Sequence, residues 1–249
     1  MHQVPLAVIA AMDDELRVIR SKMSVDASLY LRPSVFVRGT YEQRPILLVR
    51  AGIGREAMER AARYLAERYK PDFCLHVGYC GGADPSLQAG DMIIANPAID
   101  SVTGDKFEPP PSAAGRAETL LSEMGIRHRS AGIVTVDEIA REPFDKAFLG
   151  TQHEAVAIDM ESATLARVCS AAGIPYVVVR AVLDPLDYEF PDLDGAVDES
   201  GNTDGIALAG RLLRRPCDLL KLPKLEYLAS QARQSITSLI EAWLRQEAS

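Results

Sequence analysis

Two acidic residues stand where apolar runs end in the second half of the chain. Glu161 follows the run at 156–158, and Asp184 follows the run at 176–182. In open α/β sheets, ligands collect at the carboxyl ends of the strands, so these two carboxyl groups could converge in one cleft. A positioned carboxyl group can donate or accept a proton, which makes general acid–base chemistry available there. The structural alternative is that both residues only cap or begin helices, and the pattern fits it equally well.

A third acidic segment, MDDE at 12–15, follows the first apolar run of the chain. Acidic side chains are favourable at a helix N-terminus because they interact with the helix dipole. That explanation accounts for Asp13 and Asp14. It also places a carboxylate at the rim of the same cleft.

Glycines follow two other apolar runs, in the segments GIG at 52–54 and GYCGG at 78–82. Glycines at such positions allow the backbone to approach a ligand closely. A simple strand-to-helix turn and a compact pair of β-turns are the alternatives. The segment at 52–54 lacks the third glycine of the dinucleotide-binding fingerprint, which argues against a dinucleotide-binding protein.

The elements that must position these residues follow from the hydrophobic pattern. Near-continuous apolar runs are typical of strands that are buried on both faces, and they alternate here with helical patterns. The predicted strands are 4–10, 46–51, 73–77, 91–95, 131–136, 156–158 and 176–182, and the predicted helices are 55–69 and 162–172. This alternation predicts an α/β fold with three α/β/α layers around a mixed, largely parallel central sheet.

The C-terminal part has a different pattern. Residues 187–204 form an acidic, turn-rich segment that predicts a loop, and 205–249 predict a helical extension with helices at 203–214 and 225–245. The apolar stripe of the last helix is expected to pack onto the rest of the protein. No linker-like segment divides the chain, so we predict a single domain over 1–249.

Composition excludes several classes of function. The 249 residues carry a formal net charge of −8, which argues against a nucleic-acid partner. The apolar runs are far shorter than the roughly 20 residues of a membrane span, and the first residues lack the basic segment of a signal peptide. Four scattered histidines and four cysteines without a CxxC pair predict no metal site and no cofactor. A cytoplasmic location is the resulting expectation.

Five segments together resemble the nucleoside phosphorylase/nucleosidase family, in the branch of the methylthioadenosine/S-adenosylhomocysteine nucleosidases. The similarity runs from the first strand to about Asp187. The segments that support it are AAMDDEL at 10–16, AGIGREA at 51–57, VGYCGGADPSLQAGD at 77–91, AIDMESATLA at 157–166 and PYVVVRAVLD at 175–184.

The resemblance implies a role for each candidate residue. Asp184 is similar to the acid that protonates N7 of the purine, and Glu15 to the carboxylate that activates the attacking water. Glu161 corresponds to the acceptor for the ribose hydroxyls, with Met160 along the ribose and Arg180 supporting the Glu161 region. The substrate-binding residues implied in this way are Glu161, Met160, Arg180, Gly81, Gly82, Ile139 and Leu183.

Two positions depart from the family pattern. Leu183 replaces the serine that usually precedes the acid, and Ile139 stands where an aromatic residue often lies over the base. With the acidic loop and the segment 211–233, the chain resembles hopanoid-associated members of the family, which are implicated in removing adenine from adenosylhopane. We therefore expect a large apolar 5′ group, which the loop residues Leu186, Tyr188, Phe190 and Leu193 could cover. Alternatively, these four residues anchor the loop to its own domain.

The resulting expectation is an enzyme that hydrolyses the N-glycosidic bond of an adenine nucleoside and releases the base. The alternatives are a phosphate-dependent purine nucleoside phosphorylase and a non-catalytic nucleoside-binding protein. The acidic segment at 12–15 would repel phosphate, although Arg50 and Arg55 could form an anion site. A homodimer is expected, because in related nucleosidases a neighbouring subunit completes the 5′ side of the pocket.

Overall fold

The computed structural model describes residues 4–192, 218 and 220–246. Its strands are β1 (Leu6–Ala10), β2 (Ser24–Leu31), β3 (Ser34–Tyr41), β4 (Arg44–Arg50), β5 (Phe73–Gly82), β6 (Met92–Asp100), β7 (Lys106–Phe107), β8 (His128–Thr135), β9 (Ala157–Asp159) and β10 (Tyr176–Asp184). Its helices are α1 (Asp13–Lys22), α2 (Arg55–Tyr64), α3 (Pro111–Glu123), α4 (Pro143–His153), α5 (Ser162–Ala172) and α6 (Leu222–Gln246). A turn of π-helix, Leu65–Tyr69, extends α2.

The strands form one mixed sheet in the order β10-β6-β8-β9-β5-β1-β4-β3-β2. Strand β10 also pairs with β5, so β5, β9, β8, β6 and β10 close into a ring. The pairs β1–β4, β1–β5 and β5–β10 are parallel, whereas β2, β3 and β4 form antiparallel hairpins. The carboxyl end of β10 therefore lies beside the end of β5, and those of β1 and β4 lie level with its middle.

Helices cover both faces of the sheet. One buried cluster joins the sheet to α2 and α5 through residues such as Met58 and Leu165. A second cluster joins the opposite face to α1, α3 and α6 through residues such as Ile19, Leu120 and Trp243. The prediction of three α/β/α layers around a mixed sheet is therefore confirmed.

The strands predicted from apolar runs are present, but the hairpin strands β2 and β3 were not predicted. Strand β2 lies at the edge of the sheet and most of its residues are exposed, so it lacks the apolar run that marks a central strand. Strand β6 continues beyond the predicted end at residue 95, because a register irregularity between Ala95 and Ala98 accommodates Pro97 within the strand.

Helix α6 packs as its hydrophobic pattern predicts. Its buried residues are Leu228, Ala232, Ile236, Leu239, Ile240, Trp243 and Leu244. All of them except Leu228 belong to the second core cluster, beside β10, α1 and α3. The predicted helix at 203–214 and most of the predicted acidic loop at 187–204 lie outside the described residues. Within the described part of the chain, no helix is long and apolar enough to cross a membrane.

Candidate active site

A cavity of about 670 Å³ opens where several strands end. Its lining comes from the segments that follow β1, β4 and β8, from the end of β5, and from the ends of β9 and β10. The predicted site residues that line it are Glu15, Gly81, Ile139, Met160, Glu161, Leu183 and Asp184. Ligand cavities at the carboxyl ends of strands are expected for α/β sheets, and here this position brings three acidic side chains together.

Glu15 lies in the first turn of α1, directly after β1, and its side chain is buried. One carboxyl oxygen accepts a hydrogen bond from the backbone N–H of Met12, and the other accepts one from that of Tyr79, both at 2.8 Å. Burial raises the pKa of Glu15, although the Arg180 guanidinium and the two backbone donors act in the opposite direction. The carboxyl group is therefore held rigidly at the cavity wall.

Glu161 stands between β9 and α5 and also lines the cavity. Its Oε1 atom accepts a hydrogen bond from the backbone N–H of Gly54 at 2.7 Å, and its Oε2 atom lies 3.6 Å from Nη2 of Arg180. Gly54 has a φ of 88°, a left-handed conformation that favours glycine. Burial raises the pKa of Glu161 to about 7, against the opposing effect of Arg180.

Arg180 on β10 lies behind this wall and is fully buried. Its Nη2 atom forms an ion pair with Asp159 at 2.7 Å, and its Nε atom donates a hydrogen bond to Ser162 at 3.0 Å. Asp159 also accepts a hydrogen bond from the Thr135 hydroxyl at 2.7 Å. A buried guanidinium with these partners fixes the turn that carries Glu161. Arg180 does not line the cavity, so direct contact with a bound substrate is not available to it.

Asp184 ends β10 and is buried beside Lys146 of α4, whose Nζ atom lies 2.5 Å from its Oδ2 atom. Burial raises the pKa of Asp184 to about 6, and the Lys146 ammonium opposes that rise. The carboxyl group therefore keeps a proton closer to neutral pH than an exposed aspartate does. Lys146 was not predicted as a site residue, because nothing in the neighbouring sequence distinguishes it from an exposed lysine.

The glycine segment at 78–82 is part of β5 and forms no turn, which corrects the interpretation of Gly81 and Gly82 as a turn. Glycine is needed in this strand because side chains approach the backbone closely. A Cβ atom at Gly78 would collide with Nη1 of Arg180, and one at Gly81 would lie 3.3 Å from Oδ2 of Asp184. Gly81 lines the cavity, whereas Gly82 lies behind it, next to Pro185.

Glu161 does occupy the N-cap position of α5, as the structural alternative expects, whereas Asp184 begins no helix. Asp184 ends a strand and pairs with Lys146, and the side chain of Glu161 makes no capping hydrogen bond to α5. Asp13 and Asp14 do lie in the first turn of α1, as the dipole explanation predicts. Within the described ranges, no group of three or more His, Cys, Asp or Glu residues is arranged to hold a metal ion.

Comparison of the sequence with models of known protein families agrees with this fold and with this arrangement of carboxyl groups. A model of the phosphorylase superfamily matches residues 5–214, and the chain therefore belongs to that superfamily. Within it, the chain lies in the branch of the nucleosidases, enzymes that cleave N-glycosidic bonds. A 5′-methylthioadenosine/S-adenosylhomocysteine nucleosidase from Bacillus licheniformis is 32% identical over 197 residues, which cover 72% of this chain and 85% of that relative.

Solved structures share the fold. A 5′-methylthioadenosine/S-adenosylhomocysteine nucleosidase from Neisseria meningitidis, in complex with methylthio-immucillin-A, aligns with a TM-score of 0.72 and 20% identity over 95% of this chain and 98% of that chain. A futalosine hydrolase from Helicobacter pylori aligns with a TM-score of 0.71 and 20% identity over 95% and 97%. At these identities the two structures indicate a common fold.

Proposed function

We propose that this protein hydrolyses the N-glycosidic bond of an adenine nucleoside, with Asp184 as proton donor to the base, Glu161 as acceptor for the ribose hydroxyls and Glu15 as activator of the attacking water. The observation that carries the proposal is the convergence of these three carboxyl groups on one cavity. Met160 and Gly81, which line the same cavity, would contact the ribose and the base. Gly82 and Arg180 would support these contacts from behind the cavity wall.

The proposed division of roles follows from the chemistry of the bond. N9 of a purine is a poor leaving group until N7 is protonated, and a positioned acid typically contributes about 10²–10⁴-fold to the rate. The sugar then develops oxocarbenium character, which a carboxylate at its hydroxyls can stabilise. A pKa of about 6 suits Asp184 to donate a proton near neutral pH.

Water is favoured over phosphate as the attacking group. Glu15 places an acidic group at the cavity wall, and a carboxylate there repels a phosphate anion. The two arginines considered for an anion site, Arg50 and Arg55, do not line the cavity. Arg55 forms ion pairs with Asp100 at 2.6 Å and with Asp137. The relatives described above are themselves nucleosidases.

The 5′ substituent is proposed to be larger and more apolar than a methylthio group. Ile139, Leu183 and Phe190 line the cavity, and Ile139 is partly exposed at its mouth. Tyr188 is buried and donates a hydrogen bond to the carbonyl of Lys221, so it anchors its segment to the protein, whereas Phe190 remains available to a ligand. Leu193 lies outside the described residues. Adenosylhopane is a candidate substrate of this kind.

A series of 5′-alkylthioadenosines of increasing chain length tests this specificity. Each methylene group that becomes buried contributes about 0.8 kcal/mol, so four of them could raise kcat/KM by about 10²-fold. A steady rise in kcat/KM with chain length supports an apolar 5′ group. A kcat/KM that is highest for the methyl compound and falls with longer chains would indicate the specificity of a methylthioadenosine nucleosidase and would contradict this proposal.

The reaction itself is tested by incubating the protein with adenosine, 5′-methylthioadenosine and S-adenosylhomocysteine, each with and without phosphate, and measuring free adenine. Hydrolysis predicts adenine release that does not depend on phosphate. Glu15→Gln should then lose this release whether or not phosphate is present. Rescue of Glu15→Gln by phosphate would indicate a phosphorylase, and a ligand that binds without any release of adenine would indicate a non-catalytic binding protein.

A further inference from the structure

Helix α4 buries a lysine, Lys146, and exposes two phenylalanines, which is the reverse of the usual distribution of charged and apolar side chains. The side chain of Lys146 is 0% exposed, whereas Phe144 and Phe148 on the same helix α4 are 77% and 57% exposed. Removing an ammonium group from water is strongly unfavourable unless partners compensate for it. The position of Lys146 therefore requires a specific set of acceptors.

The ammonium group of Lys146 has such a set. Its Nζ atom contacts Oδ2 of Asp184 at 2.5 Å and donates hydrogen bonds to the backbone carbonyls of Pro185 at 3.1 Å and Tyr188 at 2.7 Å. An ammonium group has three N–H donors, and here each has an acceptor. These contacts hold helix α4, the carboxyl group of Asp184 and the segment that follows it in one arrangement.

We propose that Lys146 is a positioning residue for the proton transfer: its ammonium group orients the Asp184 carboxyl through Oδ2 and stabilises the carboxylate that remains when the proton has moved to the base. This inference rests on the proposed function and deepens it. Leu183, directly before Asp184, has no polar side-chain atom that could orient the acid, so the orienting contact comes from another element of the fold.

Proton transfer from Asp184 accompanies cleavage of the glycosidic bond. The O–H bond of Asp184 breaks as an N–H bond forms at N7 of the base. The C1′–N9 bond breaks and its electron pair goes to the base, while a water oxygen bonds to C1′ and the proton of that water passes to Glu15. The negative charge that appears on Asp184 lies beside the Lys146 ammonium, so the transfer becomes more favourable.

Other titratable groups also face Asp184. The Cys80 thiol lies on β5 and the Tyr188 phenol lies in the segment after β10. Burial raises the pKa of both groups, so both are uncharged at neutral pH. Among the described residues, Lys146 is therefore the charged group that acts on Asp184.

The first test titrates Asp184 directly by carboxyl ¹³C NMR in wild type, Lys146→Gln and Lys146→Met, with Asp184→Asn to assign the signal. Gln retains the capacity to donate hydrogen bonds to the two carbonyls but removes the charge, so it serves if the Met variant does not fold. An opposite charge at this distance lowers a carboxyl pKa by about 1–3, and we expect the pKa of Asp184 to rise by that amount in both variants. Lys22→Met, which removes an exposed lysine, is the control.

The second test measures kcat/KM for 5′-methylthioadenosine against pH. In Lys146→Gln, we expect the alkaline fall in kcat/KM to move to higher pH and the maximum to drop by about tenfold or more. Lys146→Gln should add little to the loss already caused by Asp184→Asn, because Lys146 acts through Asp184.

Two results would overturn the inference. The first is an unchanged Asp184 titration in both Lys146 variants. The second is a loss of activity that is proportional to the loss of folded protein, with no change in the pH dependence of kcat/KM. The titration needs no substrate, so failure of the Lys146 proposal is seen in the titration. Failure of the proposed function is seen separately, as an absence of adenine release by wild type.

Discussion

Glu15, Glu161 and Asp184 line one cavity but have different electrostatic surroundings. Glu15 accepts two backbone hydrogen bonds, Glu161 lies near Arg180, and Asp184 pairs with Lys146. Burial nevertheless raises the pKa of each group. The pKa values of about 7 for Glu161 and about 6 for Asp184 mean that these two groups change their protonation states within the pH range of an enzyme assay.

The pH dependence of activity follows from Asp184. Its pKa of about 6 means that the donor loses its proton as the pH rises above that value. Glu161 becomes a carboxylate only as the pH rises towards its pKa of about 7, so we expect kcat/KM for 5′-methylthioadenosine to fall about tenfold per pH unit above about 7, where only the remaining protonated Asp184 can donate. A steady-state profile from pH 5 to 9 checks this, and a profile that stays flat from pH 7 to 9 would contradict the role of Asp184 as acid.

Glu161 gives a prediction about stability. Its pKa rises from 4.5 to about 7 in the folded protein, so its stabilising contribution is fully present below pH 4.5 and is lost as the pH rises through 7. The free energy of unfolding of wild type should therefore fall relative to Glu161→Gln by roughly 3 kcal/mol between these values. Urea unfolding of both proteins at pH 4.5, 6 and 8 measures the difference, and parallel pH dependence of the two would show that Glu161 has an ordinary pKa.

Individual site residues can be predicted from the sequence when they stand at strand ends. A site residue within a helix that packs against the strand end cannot be predicted in this way. Glu161 and Asp184 were found because a polar residue after an apolar run is a visible signal. Lys146 lies within a helix whose phenylalanines are exposed and whose lysine is buried, the reverse of the usual pattern. Only the tertiary structure, which brings α4 against the end of β10, shows the partner of this lysine.

At the scale of elements, β5 shows how a strand can be adapted to the site that it supports. Gly78 leaves room for the Arg180 guanidinium, and a Cβ atom added at Gly78 would also lie only 2.9 Å from Oε1 of Glu15. A side chain at this position would push these two groups apart. The positions of Arg180 and Glu15 therefore depend on the absence of a side chain at Gly78.

Gly78→Ala is expected to destabilise the protein by about 1–3 kcal/mol, because the added methyl group overpacks a rigid core. It should also lower kcat/KM by about tenfold or more, because a small displacement of Glu15 misplaces the water. Gly115→Ala is the matched control: no atom lies within 4 Å of its added Cβ, and the substitution lies in helix α3. It should stabilise the protein by up to about 1 kcal/mol. Equal effects of the two substitutions on unfolding and on activity would contradict this explanation.

The elements that could be predicted from the sequence are those with a strong periodic signal. The central strands and the amphipathic helix α6 belong to this group. Helices α3 and α4 and the hairpin strand β3 were not predicted, because their burial depends on neighbours that the local pattern does not reveal, and β2 was not predicted because most of its residues are exposed at the sheet edge. The glycine-rich end of β5 was interpreted as a turn, since glycine is rare within strands and only its packing against Arg180 and Asp184 explains its presence.

At the scale of the whole molecule, helix α4 carries exposed apolar side chains. Phe144 and Phe148 of α4 stack on each other with ring centroids 6.4 Å apart, and both are largely exposed. Exposed apolar surface of this kind marks interaction sites. We expect it to form part of a homodimer interface, and a single domain over 1–249 stays a prediction.

Light scattering at micromolar concentration should therefore give the mass of a dimer, about twice 27.1 kDa. The double variant Phe144→Glu/Phe148→Glu should shift the protein towards a monomer, because two charges would be buried in the interface. Tyr227→Glu, at an exposed position on α6, is the control and should leave the dimer intact. A monomeric wild type would contradict the prediction of a dimer, and a dimer that survives the double variant would exclude this surface as the interface.

The central claim is that Asp184 donates the proton that releases the base. The most direct measurement compares adenine release from 5′-methylthioadenosine by wild type, Asp184→Asn and Asp187→Asn, where Asp187 is an exposed aspartate three residues further along the chain. Circular dichroism verifies that all three proteins are folded. We predict that Asp184→Asn loses about 10² or more in kcat and that Asp187→Asn remains close to wild type. Near-full turnover by Asp184→Asn would contradict the assignment of this residue as the acid.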